Sequence, residues 1–146
     1  MCWSHYANNH SGFCIEFNFS EYLIKTNIED VYKFKDKDVF LFNIIYEPYI
    51  LNIDLNRDSK SFNLNEVVYV TKHKYQIWKY EKEIRMITPS KEPLYIEIPK
   101  DSIKSITFGF NIFDERVKYL NTRIKNLGYE LKTHKLSLDV EYGKLY

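Results

Sequence analysis

Apolar and polar positions change period several times along the chain, and these changes mark out its elements. Phe13, Ile15, Phe17 and Phe19 alternate with Cys14, Glu16 and Asn18, the period of a half-buried strand. Before it, residues 1–9 read as the end of a helix, with Gly12 after a polar stop. Residues 20–27 form a short helix or turn opened by Ser20, and residues 33–38 a charged connection. Residues 39–46 are apolar apart from Asn43, which suits a central strand covered on both faces. Pro48 ends it, because proline cannot donate to a ladder. Residues 52–63 are polar and read as a loop.

The second half continues in the same way. A helix is expected from Asn63 or Asn65 to about Tyr80, with Glu66 near its positive end. Residues 83–88 read as a strand stopped by Pro89. Leu94, Ile96 and Ile98 give another before Pro99, and residues 103–108 a third, ending at Gly109. Residues 114–127 form the clearest helix, with Val117, Leu120, Ile124 and Leu127 on one stripe. Gly128 stands where a left-handed C-cap is wanted. Leu136, Leu138, Val140 and Tyr142 then alternate with polar residues, as in an edge strand with one wet face. The sum is an α+β domain: a mixed, mostly antiparallel sheet of about six strands with three or four helices. Strands that follow one another without helices argue against a doubly wound sheet.

Composition narrows the class. A chain of 146 residues, 45% of them hydrophobic, fits one domain spanning residues 1–146, able to bury roughly two thirds of its unfolded surface. The net charge of +1 argues against a general nucleic-acid or membrane footprint. No apolar run reaches the ~20 residues of a spanning helix. With two cysteines, Cys2 and Cys14, and no secretory pattern at the start, reduced thiols in a cytoplasmic setting are expected. Aromatic residues make up 17%, but AT-rich codons explain that as well as any function does.

Two segments concentrate chemistry. The first runs from residue 1 to residue 14 and holds Trp3, Ser4, His5, Tyr6 and His10. Cys2, His5, His10 and Cys14 have the chemistry of zinc ligands, but their spacing matches no standard site. The alternative is that Trp3 and Tyr6 pack inward while the histidines satisfy backbone groups. The second runs from residue 72 to residue 85. Strand alternation places Glu81, Glu83 and Arg85 on one face, opposite Ile84 and Met86. Such a face can be a buried ion-pair network, a carboxylate poised as base or cation stabiliser, or a solvated surface. Trp78 and Tyr80 can stack on a planar ligand. Lys72, Lys74, Lys79 and Lys82 could grip a phosphate or a single strand of nucleic acid, although a charge run on a helix is more often a solvated face. No P-loop, dinucleotide glycine fingerprint or G-x-S-x-G elbow is present.

These segments, in this order, resemble a bacterial domain-of-unknown-function family, number twenty-nine seventy-one. Its Trp-Ser-His-Tyr-Ala and Asn-His-x-Gly-Phe-Cys-Ile-x-Phe motifs are matched by residues 3–7 and 9–17. Its later Lys…Trp-x-Tyr-Glu-x-Glu-x-Arg is matched by Lys72, Trp78, Tyr80, Glu81, Glu83 and Arg85. An Ile-x-x-Ile-x-Phe-Gly segment is matched by Ile103, Ile106, Phe108 and Gly109. Family members carry further residues upstream, with an Asn-Asp-Pro-Phe-like motif. The resemblance therefore implies an N-terminally truncated version of a larger domain, whose upstream segment is needed for a complete site. The layout is similar to ADP-ribosyltransferase-type folds, an analogy at the level of fold. It implies NAD as substrate for a transferase or NAD glycohydrolase of toxin or phage-defence type. Tyr6 is then the aromatic member, Glu83 the carboxylate that stabilises the sugar cation, and Glu81 the residue that positions the acceptor. Trp3, His5, Lys72, Trp78, Tyr80 and Arg85 would contact substrate. The competing reading is a non-catalytic module that binds nucleic acid or a protein partner.

Overall fold

The computed structural model describes residues 2–49, 64–88, 95–139 and 144–145. The chain divides into two compact units, one made of residues 1–19 with 96–146 and one of residues 20–95. The class is α+β with mostly antiparallel pairing.

In the first unit, helix α1 (Cys2–Tyr6) leads into strand β1 (Phe13–Phe17). β1 pairs antiparallel with a later strand, Ile103–Phe108, so that Phe13 faces Phe108 and Ile15 faces Ile106. On the other side of that strand runs Lys132–Lys135, in parallel. Two parallel strands need a crossover, and the helix Asp114–Asn126 supplies it. Its Val117, Leu120 and Ile124 pack with Ile15 and Leu131 around buried Ile106, Phe108 and Ile112. Leu127, expected on the same stripe, is exposed (58%). It lies past the last helical turn, at φ −81° and ψ 1°. Gly128 takes the left-handed conformation (φ 76°) that a C-cap demands.

The strand Lys132–Lys135 was not anticipated; its signal is the short alternation of Leu131 and Thr133 with Lys132 and His134. Residues 95–99, expected to complete a strand from Leu94, form none. Among the described residues they have no ladder partner, and Tyr95 is fully exposed; Leu94 lies outside the described residues. Leu138–Asp139 pairs with Lys144–Leu145, while Val140 and Tyr142 of the expected last strand lie outside them.

The second unit is built on a four-stranded antiparallel sheet. In chain order its strands are β2 (Leu23–Lys25), β3 (Val31–Phe34), β4 (Phe40–Asn43) and the strand Ile84–Ile87. Residues 33–34, expected in a charged connection, close β3, and the turn to β4 passes through Asp36 at φ 61°. Residues 39–46 are central as expected, but the run breaks at Ile44. Beyond it, β5 (Ile45–Glu47) joins a different, two-stranded parallel pair. Val31, Phe40, Phe42, Ile44 and Val68 form the core, flanked by Ile28, Tyr46, Leu64 and Ile87.

Helix α2 (Leu64–Lys72) stops well short of Tyr80. His73–Tyr75 forms β6 against β5, and Gln76–Glu81 is a 3-10 helix. His73, Tyr75, Ile77, Trp78 and Tyr80 are aromatic or β-branched residues that lose rotamer freedom in an α-helix. The open edge of β5 offers their backbone a ladder instead. Residues 52–63 lie outside the described residues.

Two substitutions test this packing. A Cβ on Gly109 would stand 2.1 Å from the carbonyl oxygen of His10, a backbone atom that cannot swing aside. Gly109→Ala is therefore expected to cost about 3 kcal/mol, at the upper end of overpacking effects. Phe42→Ala, at the centre of the second core, should cost about 3–5 kcal/mol. Denaturant titration of each variant checks both values.

Candidate functional site

The amino-terminal segment is held in an unusual backbone. Asn8, Asn9 and His10 all have positive φ (46°, 51° and 63°), a region that asparagine tolerates better than most residues. The Ser11 hydroxyl donates to the Asn8 carbonyl at 2.6 Å, and Asn111 Nδ2 donates to the Asn9 carbonyl at 2.9 Å. The turn brings the His10 ring parallel to Trp3, with centroids 5.9 Å apart, and within 4.5 Å of Phe110. His10 Nδ1 is buried there without a hydrogen-bond partner. His5 and Tyr6 meet edge to face at 6.5 Å. Tyr6 does not pack inward; it is 69% exposed. Among the described residues no group of three or more His, Cys, Asp or Glu is placed to hold a metal ion; the Cys2 side chain lies outside them.

The second segment forms a network within the second unit. Lys74, on β6, donates to Glu81 Oε2 at 2.5 Å and to Glu83 Oε2 at 3.1 Å. Arg85 Nε and Nη2 both reach Glu83 Oε1 at 2.8 Å, and Arg85 Nη1 donates to the Thr71 carbonyl at 2.5 Å. The Glu83 backbone is fixed as well: its N–H donates to the Tyr46 hydroxyl (2.8 Å), and its carbonyl accepts from Ile44 N–H (3.0 Å). Glu81 is the most buried of the four side chains, 5% exposed.

Glu81, Glu83 and Arg85 thus come together as expected, but not along one continuous strand. Glu81 ends the 3-10 helix, Lys82 turns the chain in the left-handed region (φ 47°), and the strand begins at Ile84. Ile84 and Met86 are exposed while Arg85 is half-buried, so the charged side of this strand is the covered one.

The aromatic residues lie beside the network. The Lys74 ammonium sits 5.2 Å from the Trp78 ring centroid, a cation–π distance. Trp78 and Tyr80 are 6.1 Å apart and tilted by 43°, and both are exposed (38% and 40%). The expected strip of lysines is not uniform. Lys74 is committed to the two glutamates, and Lys72 Nζ donates to the Glu29 carbonyl at 3.0 Å. Tyr46, the Thr71 carbonyl and the bridging role of Lys74 were not foreseen. No local pattern marks them, because the pairing of β5 with β6 is what brings them together.

The family model described as protein of unknown function (DUF2971) matches residues 2–86, more than half of the chain. The chain belongs to the DUF2971 family. The match takes in both segments, from Trp3 to Arg85, while the segment from Ile103 to Gly109 lies beyond it. No curated protein and no solved structure matches the chain.

Electrostatics set what this DUF2971 network can do. Burial pushes the Glu83 carboxyl upward, but hydrogen bonds from Lys74 and Arg85 outweigh it and hold the group below the usual carboxylate range. Lys74 is held above the ordinary lysine range, chiefly by its hydrogen bond with Glu81 and against its own desolvation, with Glu83 adding to the effect. Both groups are therefore charged at neutral pH. Two cations face two carboxylates, so Glu83 is ionised with both oxygens engaged, and a neutral Glu83 is not available as a general acid.

Arg85→Ala removes the donors to both Glu83 and Thr71. It should cost about 2 kcal/mol, as expected for charge-assisted hydrogen bonds in a partly covered site, against at most ~1 kcal/mol for an exposed pair. The pH dependence has a defined sign. A depressed Glu83 pKa stabilises the fold above the unfolded value of ~4.3 and is lost as pH falls through the lower folded value. A raised Lys74 pKa stabilises it below ~10.4 and is lost as pH rises through the higher folded value. The stability difference between the native chain and Glu83→Gln should therefore be flat between about pH 5 and pH 10 and shrink on acidification. Denaturant midpoints across pH measure it.

Proposed function

We propose that the chain acts on NAD, as an ADP-ribosyltransferase-like or NAD-glycohydrolase-like enzyme of the kind used by toxins and phage defence. The observation that carries this reading is the Glu83 carboxylate, kept ionised on Lys74 and Arg85 beside the exposed rings of Trp78 and Tyr80. A planar, positively charged nicotinamide ring suits an aromatic surface next to an anion. As the bond between nicotinamide and ribose breaks, nicotinamide leaves with the bonding electrons and the sugar becomes cationic. A fixed carboxylate stabilises that cation with little reorganisation. Water or an acceptor hydroxyl then attacks the sugar carbon and gives up its proton to solvent, with Glu81 positioning the nucleophile. In this reading Lys72 and Arg85, carried by the same unit as Glu83, assist in binding.

A second reading is favoured by the same network. Lys74 and Arg85 balance both glutamates, which suits a scaffold that fixes Trp78 and Tyr80 as a stacking surface for a base or a partner without any reaction.

Incubation with NAD separates the two. The enzyme reading expects nicotinamide release that falls by about 10²-fold in Glu83→Gln, the size of effect seen when one transition-state partner is removed. Binding of NAD, followed by isothermal titration calorimetry, should weaken about tenfold in Trp78→Ala, in line with the loss of one stacking contact. Binding without release would leave the scaffold reading, and release unchanged in Glu83→Gln would remove that glutamate from the chemistry.

A further inference from the structure

The first unit contains a cleft that lies outside the stretch matched by the family model, so the family motifs do not account for it. It sits between the second half of the crossover helix, the turn that follows and the strand Lys132–Lys135, and has a volume of about 520 Å³. That is within the roughly 300–1,000 Å³ range of small-molecule sites. Ile124 and Leu131 form its apolar part, and Tyr129 contributes an aromatic ring. Asn121 and Thr133 supply uncharged polar groups, and Lys125 and Glu130 one charge of each sign.

Two features separate this cleft from an ordinary surface fold. The first is the anchoring of Tyr129. Its N–H donates to the Ile124 carbonyl at 3.2 Å, and the Lys100 ammonium stands 5.0 Å from its ring centroid while donating to the Leu127 carbonyl at 3.1 Å. The ring is thus positioned before any ligand arrives, which lowers the entropy cost of binding. The second is Asn121, whose carboxamide oxygen is buried without a hydrogen-bond partner. A buried acceptor without a donor is destabilising. The terminal torsion of an asparagine is broad and soft, so a small rotation offers the oxygen to a donor in the cleft and relieves that cost.

We infer that this cleft is a binding site for a small planar heterocycle carrying an exocyclic N–H donor, of nucleobase or nucleoside size. The ring lies against Tyr129, Ile124 and Leu131, and its amino group donates to Asn121 Oδ1. The site stands independently of the chemistry proposed for Glu83, since the two share no residue.

Adenosine and purine riboside, which differ by the exocyclic amine alone, test it on the full chain. Amide resonances are followed by two-dimensional NMR, with cytidine as a smaller amino-bearing probe. Saturable shifts at the Asn121 side-chain amide and at residues 128–133 are expected with adenosine. Purine riboside should bind at least tenfold more weakly, about 1.4 kcal/mol. Asn121→Leu should abolish binding and leave the unfolding midpoint unchanged or raised, because it removes an unsatisfied acceptor. If that variant fails to fold, Asn121→Ala decides. The inference is overturned by the absence of saturable shifts with both adenosine and cytidine, by equal affinity for the two purine nucleosides, or by undiminished binding in Asn121→Ala.

Discussion

The second unit depends on a lysine that serves two carboxylates at once. Removing a carboxylate from water carries a large penalty unless a counter-charge and hydrogen bonds replace the lost hydration. Glu81 is almost fully covered, and Lys74 stands 2.5 Å from it. The same ammonium holds Glu83, and Arg85 carries the connection on to the end of α2 through the Thr71 carbonyl. One set of contacts therefore joins a helix end, a parallel strand pair, a 3-10 helix and the edge strand of the main sheet. The rings of Trp78 and Tyr80 owe their positions to the same set, since the 3-10 helix that bears them ends at Glu81.

The first unit solves a different problem. Three successive left-handed residues are costly for side chains with a Cβ, and here the cost is met by Ser11, by Asn111 and by the contact between His10 and Gly109. Gly109 N–H donates to the Gly12 carbonyl at 2.9 Å, and Asn111 N–H to the His10 carbonyl at 3.0 Å. The Asn-His-x-Gly-Phe-Cys motif at residues 9–14 and the Phe-Gly of residues 108–109 thus form two halves of one joint. Each motif looks like loop punctuation when considered alone.

What could be read from the sequence follows from the range of the forces involved. The helix from Asp114, its glycine stop and the strand from Ile103 were legible, because periodicity and capping act within a few residues. The buried run around Phe42 was legible for the same reason. The end of α2 was not, because the edge of β5 captures residues 73–75 from a distant part of the chain. The grouping of Glu81, Glu83 and Arg85 was correct although its geometry was not. A 3-10 helix and a left-handed Lys82 achieve what simple strand alternation was expected to do. The role of Lys74 as a bridge was hidden, since it depends on a parallel pairing that leaves no local trace.

The pairing of β1 with the strand from Ile103 has a consequence for synthesis. Glu16 and Ser105, joined across that ladder, stand 89 positions apart, and the intervening chain holds the whole second unit. As the polypeptide emerges from the ribosome, residues 20–95 can acquire their own core while β1 still lacks its neighbour. Phe13, Ile15 and Phe17 must wait in an unpaired strand until the carboxy-terminal half has been made. Such a nascent segment is an aggregation hazard, and Glu16 places a charged side chain within it.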